Sequence, residues 1–141
     1  MNAEDLDLIL DSGLSKACDS LEKGKDIKPY LLVMDQNSYI HFSEDFGDDV
    51  YEADPEEFIA DLMIRLQKRA NEEKIKGGAI ICQVKVKHPD HGEYCSAINA
   101  LVEYSDGNAF DCFLPFNKIE NGVEYGEIFT IKVDSKVFPK N

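Results

Sequence analysis

The sequence predicts an α+β domain: an antiparallel sheet, made of a four-stranded C-terminal meander plus an N-terminal hairpin, with two helices on one face, in the order α-β-β-α-β-β-β-β. Three observations predict it. Two segments carry apolar residues at helical spacing, the second half of the chain is rich in β-formers cut by turn dipeptides, and the register those turns impose gathers apolar residues on one sheet face.

The first helix is indicated by Leu6, Ile9, Leu10, Leu14, Ala17, Cys18 and Leu21, which recur every three or four residues. Glu4, Asp5 and Asp7 sit near its N-terminal end, where the helix dipole favours negative charge. Gly24 is placed to stop it, and Gly13, beside the apolar stripe, admits close contact with a strand. Tyr30–Met34 and Tyr39–Phe42, joined by Asp35-Gln36-Asn37-Ser38, read as a hairpin. An acidic stretch over 43–53 leads to Asp54-Pro55-Glu56-Glu57, a helix start with an N-cap, a first-turn proline and a capping-box glutamate. Phe58, Ile59, Leu62, Met63, Leu66 and Ala70 form the apolar face of that second helix, and Gly77-Gly78 separates it from the strands of the C-terminal half.

Four strands are expected after this point: Ala79–Lys87, Tyr94–Tyr104, Ala109–Phe116 and Val123–Val133. Asp106-Gly107 and Asn121-Gly122 are read as two-residue turns, and the His88–Glu93 loop as symmetric. Cys82 then faces Asn99, Leu101 faces Cys112, and Cys112 faces Ile131. The expected core face carries Ile80, Cys82, Val84, Val86, Cys95, Ala97, Leu101, Phe110, Cys112, Leu114, Phe116, Phe129, Ile131 and Val133, with Glu103 and Glu127 as marginal exceptions and Asn99 as a polar residue at its centre. The other face pairs Asp111 with Lys132 and carries a second apolar cluster, Ile81, Ile98, Ala100, Val102, Phe113 and Ile128. That cluster is more than a solvated face needs. Ile81, Ile98, Val102, Phe113 and Ile128 are therefore the candidate surface for a protein partner or for self-association as a homodimer.

With 141 residues and 43% hydrophobic content, the chain suits one domain, 1–141, around one main core. A net charge of −13 argues against nucleic acid or an anionic membrane as partner and suits docking on a basic protein, as an adaptor or inhibitor, or mimicry of nucleic acid. No apolar run is long enough to cross a bilayer and no signal peptide is visible, which makes the cytoplasm the expected location. Cys18, Cys82, Cys95 and Cys112 suit a reducing compartment; Cys82 and Cys112, on strands flanking a third, are expected about 9–10 Å apart, too far for a disulfide.

No P-loop, dinucleotide fingerprint, nucleophile elbow or zincin motif is present, so no cofactor and no catalytic residue are predicted. His88 and His91, with Asp90, Glu93 and Cys95, are the alternative, a zinc site of a metal-dependent enzyme, although all share one hairpin tip. The acidic loop residues Glu44, Asp45, Asp48, Asp49 and Glu52 do not match calcium-loop spacing. His41 stands alone on the second strand and reads as structural.

Lys28-Pro29-Tyr30-Leu31-Leu32-Val33-Met34 after a helix, and Phe113-Leu114-Pro115-Phe116 followed by Val123-Glu124-Tyr125-Gly126-Glu127-Ile128-Phe129, resemble an uncharacterised family of small bacterial cytoplasmic proteins. The resemblance implies a bacterial cytoplasmic protein and this order of elements, and assigns no activity.

Overall fold

Two stretches of the chain, Leu31–Met34 and Ala79–Cys82, are apolar at every position rather than at alternate ones. A pleated strand sends successive side chains to opposite sides, so such runs need cover on both. The computed structural model, which describes residues 3–42, 55–72, 74–90 and 92–138, shows that cover. Two helices, α1 (Ala3–Glu22) and α2 (Pro55–Glu72), accompany seven strands: β1 (Tyr30–Asp35), β2 (Ile40–Phe42), β3 (Ile75–Lys87), β4 (Tyr94–Tyr104), β5 (Asn108–Ile119), β6 (Gly122–Tyr125) and β7 (Phe129–Asp134). They form one antiparallel sheet in the order β2-β1-β3-β4-β5, with β6 and β7 sharing the far edge of β5. The α+β class and the antiparallel sheet are as the sequence predicts.

The helices, however, lie on opposite faces. α1 packs with Leu32, Met34, Ala79, Ile81, Ile98, Ala100 and Val102. α2 packs with Leu31, Val33, Ile75, Ile80 and, through the C-terminal segment, Val137 and Phe138. One helix therefore serves each side of β1 and β3. Each fully buried Ile or Leu contributes roughly 1.5–3 kcal/mol, and Ile9, Leu31, Leu32 and Ile81 are all at 0% exposure.

Close approach is set by glycine on each side. A Cβ at Gly13 would stand 2.8 Å from Ile81 Cδ1, and one at Gly78 would stand 2.7 Å from Leu66 Cδ1. Gly77-Gly78 is thus part of β3 rather than a separator. Tyr30 adds a hydrogen bond from its hydroxyl to the Gly13 carbonyl. α1 ends in a Schellman arrangement: Gly24 N–H bonds Leu21 O and Lys25 N–H bonds Ser20 O, with Gly24 at φ +75°.

The register of β3 with β4 is as expected, Cys82 opposite Asn99 and Val86 opposite Cys95. Beyond β4 it is displaced. Gly107, at φ +89°, donates to Tyr104 O, so Ser105-Asp106-Gly107 is a three-residue loop with a bulge glycine, not a two-residue turn. Leu101 then faces Asp111, and Cys112 faces Ala100. A one-place slip exchanges the faces of β5. Cys112, Phe110, Leu114 and Phe116 go to the α1 side, and Asp111 and Phe113 go to the α2 side. The expected single core face is corrected accordingly, and Ile131, assigned to it, is 51% exposed.

The last expected strand is divided. Pro115 has no N–H to offer, and at this point the edge strand takes four steps (125–129) against three of β5 (113–116). Gly126 N–H still bonds Pro115 O at 2.8 Å, and β7 continues beyond the bulge.

Two buried carboxylates tie distant segments together. Asp5, 5% exposed, accepts from Tyr104 Oη at 2.6 Å and Ser38 Oγ at 3.2 Å, with Lys76 Nζ at 3.5 Å. The Tyr104 hydrogen bond leads in holding the Asp5 carboxyl below its usual range, against the opposing effect of burial. Burial, with Asp5 adjacent, pushes the Tyr104 phenol up to about 12. Glu103, 1% exposed, accepts from Lys136 N at 2.9 Å, Val137 N at 3.2 Å and Ser135 Oγ at 2.6 Å, and so pins the C-terminal segment beside α2.

This packing has three measurable consequences. Gly13→Ala gains about 1 kcal/mol of helix propensity but loses about 1–3 kcal/mol to overpacking against Ile81, so its urea midpoint falls, and that of Gly13→Val falls further. Glu103→Ala lowers stability by about 1–3 kcal/mol in denaturant titration and raises amide exchange at Val137, whose N–H loses its acceptor. Because the Asp5 pKa is depressed on folding, its contribution is complete above the unfolded value near 3.8 and is lost as pH falls through the lower folded value. The midpoint difference between wild type and Asp5→Asn therefore shrinks as pH is lowered through and below about 4.

Candidate functional site

On the α2 side, the helix packs over β1 and β3. The sheet continues past it through β4, β5 and β7, and among the described residues no helix packs over that part. Strand alternation puts Val84 and Val86 of β3, Asn99 of β4, Asp111 and Phe113 of β5, and Phe129 and Ile131 of β7 on this face. Phe113 and Phe129 are directly opposite each other and stack with ring centroids 5.0 Å apart. His88 packs edge-on against Phe129 at 5.3 Å. Val84, Val86, Phe113 and Phe129 are all half-buried.

A polar row crosses the middle of this apolar surface. Cys82 Sγ donates to Asn99 Oδ1 at 3.6 Å, and Asn99 Nδ2 donates to Cys112 O at 3.2 Å, so this buried amide is satisfied within the sheet. Asp111 comes next on β5, and its Oδ1 is buried without a hydrogen-bond partner. Burial first, and the Asp111 charge second, push the Cys82 thiol up to about 11. A thiol held neutral in this way is a poor nucleophile near pH 7. Beside Asp111, a shallow cleft of about 380 Å³ is lined by Leu101, Glu103, Asp111, Val133, Asp134 and Lys136. The arrangement is suited to holding an apolar surface and presents no activated nucleophile among these groups.

The predicted partner residues are dispersed. Ile81, Ile98 and Val102 are at 0% exposure beneath α1, because the helix expected on the other side covers them. Phe113 is on the opposite face from these three, in the open region, because of the slip at Gly107. Ile128 lies in the break between β6 and β7 and is exposed. Asp111 faces Ile131, and Lys132 faces Phe110, so the expected Asp111–Lys132 pair is not formed. Cys82 and Cys112 point to opposite faces, and all four cysteines are free.

His88 Nδ1 accepts the Asp90 N–H at 3.1 Å, and His91 lies outside the described residues, as do Glu44, Asp45, Asp48, Asp49 and Glu52 of the acidic stretch and Asp54, expected as an N-cap. Among the described residues no group of three or more His, Cys, Asp or Glu side chains is placed to hold a metal ion. His41 bonds Asp35 at 2.8 Å, within a turn where Asp35 also accepts from Asn37 N and Tyr39 N. No described helix is long and apolar enough to cross a membrane.

The pairing of Asp111 and Phe113 with the α2 side is what sequence reasoning missed. The signal was available: with the bulge glycine placed at Gly107, the same alternation moves both residues to this face. Comparison of the chain with protein-family models, with curated proteins and with solved structures finds no match.

Proposed function

We propose that this chain is a non-catalytic protein-interaction domain that binds through the part of the α2-side face left open beyond α2. The supporting observation is the half-buried Phe113–Phe129 stack, continuous with Val84 and Val86, with no helix over it among the described residues. Aromatic pairs in such positions supply much of the binding energy of protein interfaces. The net charge of −13 favours a partner with a basic rim, in the manner of an adaptor or inhibitor, and disfavours polyanions. Four free thiols support a reducing compartment such as the cytoplasm.

Affinity capture from the native host, with wild type and Phe113→Ser compared side by side, tests this reading. The expected result is a specific partner retained by wild type and reduced at least tenfold by Phe113→Ser, with both proteins folded by circular dichroism. Equal retention by the two proteins would refute the assigned surface. Wild type that retains nothing and stays monomeric would refute the function.

A further inference from the structure

We infer that a second copy of the chain joins this one edge to edge through β7 and so widens the open face; this rests on the interaction reading above and adds to it a pairing at the margin of the proposed surface. A sheet edge presents a row of free backbone donors and acceptors that only another extended strand can fill. Among the described residues, one edge of the sheet is β2, Ile40–Phe42, and the other is formed by β6 and β7, of which β7 is the longer at six residues. Exposed large apolar side chains gather along this second edge: Ile119 at 45%, Tyr125 at 36%, Ile128 at 44% and Ile131 at 51%.

The backbone of β7 also specifies a register. Gly126 N–H bonds Pro115 O, so the odd-numbered residues of β5 turn their backbone groups toward this edge. Their partners Phe129, Ile131 and Val133 bond inward, which leaves the N–H and C=O of Thr130 and Lys132 facing outward. A two-fold axis at Ile131 pairs Thr130 of each copy with Lys132 of the other through those outward groups. It also sets Ile131 against Ile131 and Phe129 against Val133, so the open apolar face runs without interruption from one sheet into the next. Moving the axis to Lys132 would set two ammonium groups directly opposite each other, which disfavours that register. Lys132 and Asp134 cancel locally, but each chain carries −13 overall, so association strengthens as salt screens the repulsion.

Light scattering across a dilution series tests the pairing. Wild type is expected to be a dimer whose dissociation constant falls on adding salt. Lys132→Pro removes one outward N–H without touching the bonds to β5, and is expected to give a folded monomer. Ile131→Cys is expected to cross-link under mild oxidation and Lys132→Cys is not, which keeps the test valid if the proline variant fails to fold. A monomeric wild type overturns the inference, whatever partner Phe113 is found to hold. So does a dimer insensitive to Lys132→Pro but broken by Phe113→Ser, although that outcome leaves the proposed function standing as face-to-face association. Capture of a different protein lost on Lys132→Pro, with no dimer, would assign the edge to a foreign strand and also overturns it.

Discussion

The burial of β3 on both of its faces is the constraint on which the rest of the structure depends. Ile80 and Ile81 are neighbours in sequence and point in opposite directions, and both are at 1% exposure or less. No arrangement of two helices on one side could achieve that. α1 must take the side of Ile81 and α2 the side of Ile80, and β1, apolar at every position from Leu31 to Met34, shares both covers. The glycines at 13 and 78 are where this two-sided packing is tightest, one on a helix and one on the strand it serves.

The buried carboxylates show how polar groups fix what apolar contact leaves loose. Hydrophobic packing is non-directional, so it brings α1 and the C-terminal segment onto the sheet without selecting one position. Asp5 selects it for α1, through Tyr104 on β4, Ser38 in the hairpin turn and Lys76 on β3. Glu103 selects it for the segment after β7, through two backbone N–H groups and a hydroxyl. Leaving either carboxylate without its partners would cost more than each bond contributes when made, and this asymmetry makes such groups effective fasteners.

Coverage by α2 is partial because β4, β5 and β7 extend the sheet beyond the helix. The same arrangement that completes the core around β1 and β3 leaves the Phe113–Phe129 stack half-buried and, among the described residues, the outer side of β7 without a neighbouring strand. A partly covered face of this kind is a consequence of proportion: among the described residues, a wide sheet carries one helix on that side. Pro115, which interrupts the edge strand, separates β6 from β7 and sets where the open edge begins.

Local chemistry determined most of the elements, the division of the last strand into β6 and β7 excepted. Helical spacing set α1, Pro55 set the start of α2, Gly24 ended α1, and a symmetric loop set the β3–β4 register. The regular spacing of apolar residues within an element reports which side is buried, but not which side of a shared sheet each element joins. The faces of β5 turned on one residue: Asp-Gly serves a two-residue turn and a three-residue bulged loop equally well, and the two differ by one place in register. Only the assembled sheet, with Gly107 in the bulge position, settled that Phe113 and Asp111 share the open face and that Ile81, Ile98 and Val102 lie under α1, because face assignment depends on contacts between residues far apart in the chain.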